Sequence, residues 1–443
     1  MLIRTICLLL CSIFFLSLSA QKATKKWKKE LNALITESEV FQKSFTGFYL
    51  TEHHSETPLY EHAADKYYTP ASNTKLFTFY TALNILGDTL PTFHYQQSDT
   101  AIVFWGTGDP SFLNPYLTTD SSALNFFKNS PLPLHYSNHN FRDQRFGSGW
   151  AWDDYAYSYQ PERCGFPIYG NVVIFDREEG QANFKVLPNF FHDAVRLNPN
   201  LDAKYARFVR LENKNIFECN SQALTGKPFV RERPFIYDET VFRNLLGEAS
   251  GKTIHPFDGY LQVDSIQTFY SNTPADSLYR LLLQDSDNFV AEQLLLTCSN
   301  QVFGTQNTEQ IIEYATENFL MDLPDKPIWR DGSGLSRYNL FTPRSIVKLL
   351  QNIYKKLPQN RVFALFPAGG ESGTIEDWYA GEDQPYVYAK TGTLSNKHCL
   401  SGYLRTKSGQ VLIFSFMHNN YVDGTKPIKE EMEKVLEWIR ENW

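Results

Sequence analysis

Three short motifs in this chain carry residue types that can together perform acyl transfer. They are Ser-Asn-Thr-Lys at 72–75, Ser-Asp-Asn at 286–288 and Lys-Thr-Gly at 390–392. The pattern Ser-x-x-Lys also occurs at 19–22 and at 345–348, so by itself it has little weight. We interpret the copy at 345–348 as a surface turn of a helix. The other two motifs each occur once, in this order, and together they predict that the serine of the first motif is a nucleophile.

The roles of the first two motifs follow from the needs of a serine nucleophile. A serine hydroxyl reacts poorly at neutral pH, so a neighbouring base must accept its proton during the attack. Lys75 can be this base for Ser72 if burial and the nearby cation Lys390 lower its pKa. Ser286 can pass a proton to the leaving amine, and Asn288 can hold Lys75 or a substrate amide.

The third motif is suited to recognition of a substrate that ends in a carboxylate. Lys390 supplies positive potential, and Thr391 and Thr393 supply hydroxyl donors. The backbone N–H groups of Ser72 and Thr393 are predicted oxyanion donors, each worth on the order of 3 kcal/mol. Thr391, Gly392 and Thr393 are therefore the predicted substrate-binding and oxyanion residues.

Other candidate sites in the sequence are weak. His135 and His139 have zinc-like spacing but lie in a loop with no glutamate between them, so we predict no metal and no cofactor. The segment 247–253 is one residue too short for a phosphate-binding loop, and we interpret it as a turn that closes a helix. The four cysteines after residue 20 are far apart, and we interpret them as isolated apolar residues, with one disulfide as the minority option.

Composition and the N-terminus indicate an exported protein. Residues 1–20 combine an early arginine, an apolar core and small residues, which predicts a signal peptide and a periplasmic or other extracytoplasmic location. No later stretch approaches the length of a transmembrane helix. The formal net charge is −7 and the basic run at 25–29 is short, so nucleic-acid binding is disfavoured.

Periodicity predicts the elements that must position these residues. Apolar residues recur at helical spacing from Leu76 until Gly87, which places Ser72 at a helix N-terminus with Lys75 one turn on. Alternating and β-branched residues predict strands, at 45–50, 58–61, 101–104, 170–175, 386–389, 400–404 and 411–416. A C-terminal helix with an apolar stripe at 432–439 is expected to pack on the last strands.

On these motifs the chain resembles the class C low-molecular-mass penicillin-binding proteins, the D-alanyl-D-alanine carboxypeptidase/endopeptidase family. The resemblance spans nearly the whole mature chain. It includes further matching segments at 70–75, 106–110, 331–337, 342–343, 373–374, 389–394 and 401–403.

The resemblance implies an α/β (α+β) fold: a serine transpeptidase/β-lactamase-like domain with an antiparallel sheet flanked by helices, interrupted by an inserted, mainly β domain. The catalytic domain is predicted at 21–90 and 255–443, and the insertion at 91–254, which is shorter than usual in this family. The long interval between the first two motifs argues against a class A β-lactamase, as does the lack of a Glu-x-x-x-Asn segment between 288 and 390.

The resemblance also implies an activity. The family hydrolyses the terminal D-Ala-D-Ala bond of peptidoglycan stem peptides, with peptide cross-links as a further substrate, and β-lactams acylate its serine as covalent inhibitors. Stem peptides and β-lactams are therefore the expected partners of Ser72. Two alternatives remain open from the residues: a β-lactamase-like or esterase-like serine hydrolase, and a β-lactam-binding scaffold that turns over poorly.

Overall fold

The chain forms two compact units. The computed structural model describes residues 25–118, 120–181, 183–259, 261 and 265–443. The first unit comprises residues 1–70, 324–326 and 340–443, and the second comprises 71–323 and 327–339. The predicted signal peptide lies outside the described residues. In the part of the chain that is described, no helix combines the length and the apolar character needed to cross a membrane.

The first unit is built on a five-stranded antiparallel sheet. Its strands, in spatial order, are Val387–Leu394, Lys397–Arg405, Val411–Asn419, Phe45–Glu52 and Tyr60–His62. Its helices are Pro343–Lys356, Gln359–Leu365 and Thr425–Asn442, with residues 25–36 also helical and 3-10 turns at Phe41–Lys43 and Gly373–Ile375.

Helices cover this sheet and explain its composition. All nine residues of the strand Val411–Asn419 are buried, as expected for a strand with both faces packed. The helix Pro343–Lys356 packs against this strand, and the helix Thr425–Asn442 packs against the neighbouring strand Lys397–Arg405. The predicted apolar stripe at 432–439 is buried in the core.

The second unit contains six helices among its described residues. They are Lys75–Ile85, Ser122–Asn129, Glu239–Ser250, Ala275–Leu283, Asn288–Phe303 and Thr308–Phe319. The helix that begins at Asn288 packs on both the Lys75 helix and the helix Thr308–Phe319. The helix Glu239–Ser250 ends at Gly251, which has a left-handed conformation with φ of 69°. The segment 247–253 is therefore the helix-closing turn that was predicted.

Most strands of the second unit fall between residues 91 and 256. One five-stranded mixed sheet has the order Ile254–Pro256, Leu134–Tyr136, Ile102–Gly106, Pro91–Gln97 and Gln267–Tyr270. Two three-stranded sheets have the orders Phe229–Pro234, Val172–Arg177, Lys185–Leu187, and Val195–Leu197, Phe217–Cys219, Phe208–Arg210. These strands enclose a core rich in phenylalanine. The predicted fold class is confirmed, while the predicted domain boundaries stay a prediction.

The four cysteines that the structure describes are free and buried: Cys164, Cys219, Cys298 and Cys399. They behave as small apolar residues in the cores of the units. The interpretation of isolated apolar cysteines therefore agrees with the structure.

Candidate active site

The first motif lies at the start of a helix, as predicted. Residues Ala71–Thr74 form a 3-10 turn that runs into the helix Lys75–Ile85. Ala71 has a positive φ of 48°, which costs a non-glycine residue about 1–3 kcal/mol and is typical of functional sites. This bend leaves Ser72 partly exposed, while its neighbours on both sides are buried.

The Lys75 side chain is fully buried, and its amine contacts three acceptors. Nζ lies 2.9 Å from Ser72 Oγ, 2.6 Å from Asn288 Oδ1 and 2.7 Å from Ser333 O. A neutral amine has two N–H donors and one lone pair. It can therefore donate to Asn288 and Ser333 while its lone pair accepts the hydroxyl proton of Ser72. This is the geometry that general-base catalysis requires.

Burial lowers the pKa of Lys75 to about 8, because the cation loses its hydration. The carboxylates of Asp331, Asp287 and Glu292 oppose this shift, since negative charge nearby favours the ammonium form. A base with a pKa close to the working pH is efficient in proton transfer. The contribution that we expected from Lys390 stays a prediction.

The second motif forms the N-terminus of the helix that begins at Asn288. Ser286 has a positive φ of 60°, and the Asp287 carboxylate caps the helix by accepting a backbone N–H bond of 2.8 Å from the first turn. Asn288 Nδ2 donates to Tyr159 O at 2.8 Å, which orients the amide so that Oδ1 faces Lys75. The structure thus brings Ser72, Lys75 and Asn288 into one hydrogen-bonded group.

Ser286 and Asn288 also line a cavity of about 480 Å³. Its wall includes the aromatic rings of Tyr116 and Tyr159 and the carboxylate of Glu232. A concave site with aromatic walls and a few polar groups is the usual form of a ligand pocket. The second motif therefore borders space that a substrate group can enter.

A loop at 331–339 supports Lys75, and the sequence did not predict a role for it. Asp331 in this loop is buried. Its carboxylate accepts four hydrogen bonds of 2.6–3.0 Å, from Gly334 N, Ser336 N, Trp150 Nε1 and Asn339 Nδ2. These bonds fix the loop so that the Ser333 carbonyl faces Lys75. The only signal in the sequence was the Asp-Gly-Ser-Gly segment itself, because no local pattern reveals a contact between residues so far apart in the chain.

The third motif lies in the first unit, on the strand Val387–Leu394 at one edge of the sheet. Lys390, Thr391 and Gly392 are buried on this strand, whereas Thr393 is exposed. Lys390 Nζ donates to Thr391 O at 3.0 Å. An edge strand of this kind can bind an extended peptide by main-chain hydrogen bonds.

Two hydroxyls of this strand are held by neighbouring side chains. Thr391 Oγ1 lies 2.6 Å from Thr374 Oγ1, and Thr393 Oγ1 lies 2.9 Å from His398 Nδ1. These contacts restrict the rotamers of both threonines before any substrate binds. The strand therefore presents its donors in a fixed arrangement, which favours recognition.

The second Ser-x-x-Lys copy, at 345–348, has different surroundings. Ser345 lies in the first turn of the helix Pro343–Lys356 and is buried, so the expected exposed position was wrong. Its hydroxyl donates to Asp325 O at 3.1 Å, because the Thr342 cap and the Asp325 segment enclose this turn. Lys348 Nζ pairs with Glu56 instead of a serine. The geometry of a nucleophile and base is thus found at 72–75.

Comparison with known proteins connects this geometry to a family. The family model described as D-Ala-D-Ala carboxypeptidase 3 (S13) matches residues 27–227 and 270–442. The chain is 23% identical to D-alanyl-D-alanine carboxypeptidase DacB of Haemophilus influenzae over 66% of each protein. It is 24% identical to penicillin-sensitive carboxypeptidase A of Dictyostelium discoideum, over 80% of this chain and 78% of that protein. It is 23% identical to a D-alanyl-D-alanine carboxypeptidase of Actinomadura, over 90% and 82%.

Solved structures show the same fold. Penicillin binding protein 4 of Haemophilus influenzae superposes with a TM-score of 0.70 at 18% identity, over 93% of this chain and 99% of that one. Its complex with a β-lactam superposes with a TM-score of 0.65 at 19% identity, over the same shares. A predatory peptidoglycan endopeptidase of Bdellovibrio bacteriovorus reaches 0.50 at 15% identity, over 89% and 93%.

Proposed function

The chain belongs to the D-Ala-D-Ala carboxypeptidase 3 (S13) family, and from this membership we infer that it is a serine D,D-peptidase. Its proposed reaction is hydrolysis of the terminal D-Ala-D-Ala bond of peptidoglycan stem peptides, through an acyl-enzyme on Ser72. The observation that carries the proposal is the 2.9 Å contact between Ser72 Oγ and Nζ of the buried Lys75. Nucleophile and base at this distance are the core of covalent serine catalysis.

Acylation begins when Ser72 Oγ attacks the carbonyl carbon of the penultimate D-Ala and its proton moves to Lys75 Nζ. The C–N bond then breaks, and the leaving nitrogen of the terminal D-Ala takes up a proton, for which we assign the Ser286 hydroxyl as the route. Asn288 and the Ser333 carbonyl hold Lys75 through both steps. Water finally cleaves the ester, so that each cycle consumes one water and releases D-Ala and the shortened peptide.

Recognition of the substrate terminus is assigned to the third motif. Lys390 and Thr391 bind the terminal carboxylate, because charge-assisted hydrogen bonds to a carboxylate are strong. The backbone N–H groups of Ser72 and Thr393 stabilise the oxyanion of the tetrahedral intermediate. Gly392, between the two threonines, keeps the strand free of a side chain where the peptide backbone lies.

The proposed function extends to β-lactams, to peptide cross-links and to export. β-Lactams acylate Ser72, as the name of the penicillin-sensitive relative suggests for that protein. Peptide cross-links are a second substrate class, because one structural neighbour is described as a peptidoglycan endopeptidase. Residues 1–20 direct export to the periplasm or another extracytoplasmic space, so N-terminal analysis of the mature protein should find a start near Gln21.

The test is intact-mass analysis of the purified protein with penicillin and, separately, with a stem pentapeptide. Penicillin should add one equivalent of its mass, and peptide mapping should locate the adduct at Ser72. The pentapeptide should lose D-Ala catalytically, and its C-terminal amide should react more slowly because it lacks the carboxylate. An adduct at Ser345 would contradict the assignment. A stable adduct without peptide turnover would indicate the β-lactam-binding scaffold, and penicillin hydrolysis without peptide turnover would indicate a β-lactamase.

A further inference from the structure

Glu292 is a buried carboxylate behind the catalytic lysine, and the mechanism above does not use it. It lies one turn after Asn288 on the same helix and is 1% exposed. Its Oε1 accepts the backbone N–H of Ser333 at 2.7 Å, and the carbonyl of Ser333 accepts Lys75 Nζ at 2.7 Å. One residue therefore connects the carboxylate of Glu292 to the amine of Lys75.

The charged groups around Glu292 do not neutralise it completely. Arg163 Nη1 lies 3.8 Å from Glu292 Oε2, which is an ion pair without a hydrogen bond. The same nitrogen donates to Thr308 Oγ1 at 2.6 Å and to Asp143 Oδ2 at 3.2 Å. Among the described residues, Glu292 Oε2 has no hydrogen-bond partner. An incompletely paired carboxylate is costly to bury, so its retention calls for a reason.

Electrostatics link Glu292 to the amine through the protein interior. Burial first, and then the charge of Asp331, raise the pKa of Glu292, while Arg163 and the N–H of Ser333 lower it. In the opposite direction, the carboxylates of Asp331, Asp287 and Glu292 raise the pKa of Lys75 against the effect of burial. The charge of Glu292 therefore acts on the protonation of Lys75, since charges interact strongly where water is excluded.

We propose that Glu292 is a positioning residue for acylation. It holds the loop at 331–339 against Lys75, and its negative charge sets the pH at which Lys75 becomes a free amine. This inference rests on the proposed function, because it assigns a task to the same base. It predicts two separable effects of Glu292, one from its hydrogen bond and one from its charge. A purely structural glutamate would have the first effect only.

Two substitutions separate these effects. Glu292→Gln keeps an oxygen that can accept from Ser333 N–H but removes the charge. Glu292→Asp keeps the charge but shortens the side chain by one methylene and weakens that hydrogen bond. Glu317→Gln, an exposed carboxylate in the helix Thr308–Phe319, is the matched control for loss of one charge.

The measurement is the second-order rate constant for acylation by penicillin as a function of pH. The acid limb of this pH profile is the range in which the rate falls because Lys75 becomes protonated. In Glu292→Gln this limb should move to lower pH by roughly half a unit or more, because loss of a nearby negative charge lowers the pKa of an amine. Glu292→Asp should keep the wild-type position of the acid limb and lose rate at every pH. Glu317→Gln should match wild type in both respects.

Several outcomes would overturn the inference. The wild-type pH profile in a folded Glu292→Gln variant would exclude a role of the charge. If Glu292→Gln does not fold, Glu292→Asp provides the test instead. An acid limb displaced from its wild-type position in Glu292→Asp would then contradict the proposal. Absence of penicillin acylation in the wild-type protein would instead remove the proposed function itself, so the two failures are distinguishable.

Discussion

Lys75 combines two opposing physical effects at one nitrogen atom. Complete burial favours the neutral amine, whereas three carboxylates in the same unit favour the ammonium. The balance leaves the pKa at about 8, so that a useful fraction of the side chain is a free base near neutral pH. The hydrogen bonds that Lys75 Nζ donates to Asn288 Oδ1 and Ser333 O then decide the direction of its lone pair.

Lys75→Arg should abolish acylation by penicillin, with a loss of several orders of magnitude in the rate constant. A guanidinium stays protonated at all accessible pH values and cannot accept the hydroxyl proton of Ser72. The rate constant is measured by intact-mass kinetics, and circular dichroism verifies the fold. The matched control is Lys348→Arg in the second Ser-x-x-Lys copy, which should be acylated like wild type. A folded Lys75→Arg variant with near wild-type acylation would show that the base is another group.

At the scale of elements, the loop at 331–339 and the turn before the Lys75 helix fit together with very little space. Gly334 has a positive φ of 86°, and a Cβ at this position would lie 1.9 Å from Ala71 O. The Thr74 hydroxyl donates to the same carbonyl at 2.9 Å. A glycine is therefore required both by backbone conformation and by the close approach of a second backbone.

Gly334→Ala should both destabilise the protein and reduce acylation, because the new methyl group must displace the turn that carries Ser72. The matched control is Gly409→Ala, which has the same φ of 86° but no atom within 4 Å of the new Cβ. We expect the control to lose only the conformational part, about 1 kcal/mol, and to keep its acylation rate. The comparison uses urea unfolding and acylation kinetics on both variants. Equal behaviour of the two variants would refute the close-approach argument.

The elements at the site differ in how well the sequence predicted them. The helix Lys75–Ile85 and the strand of the third motif follow from local periodicity. The family predicted from the three motifs is confirmed. The support of Lys75 by Ser333 and Glu292 was not predicted, because these contacts join distant segments and depend on backbone atoms. A buried glutamate on a helix also has no local signal, since its sequence pattern is the same as that of an exposed one.

At the scale of the whole molecule, the domain boundaries expected from the sequence, 21–90 and 255–443 for the catalytic domain and 91–254 for the insertion, stay a prediction. The sheet of the first unit also contains a row of polar side chains that no pattern indicated. Its members pair across four neighbouring strands as Thr393, His398, His418 and Thr46. Thr46 Oγ1 lies 3.0 Å from His418 Nδ1, as Thr393 does from His398.

Both imidazoles of this row are buried, and burial favours their neutral form. Burial, with the charge of Lys429 second, lowers the pKa of His398 to about 3. Burial, with the charge of His398 second, lowers the pKa of His418 well below its ordinary value. In the unfolded chain each imidazole titrates near pH 6.5, so stability is fully present above that pH and is lost as the pH falls below it.

His418→Gln should therefore reduce the acid sensitivity of the fold. Each buried neutral histidine contributes about 1.4 kcal/mol per pH unit to the slope of the unfolding free energy between its two pKa values. Urea unfolding at several pH values between 6 and 5 should show this slope smaller by about that amount in the variant, whatever its absolute stability. Thr46→Val, which removes the hydroxyl beside His418 but no titratable group, is the control and should retain the wild-type slope. If His418→Gln also retains it, His418 is protonated in the folded protein, and the row of polar side chains carries a buried charge that its neighbours must then stabilise.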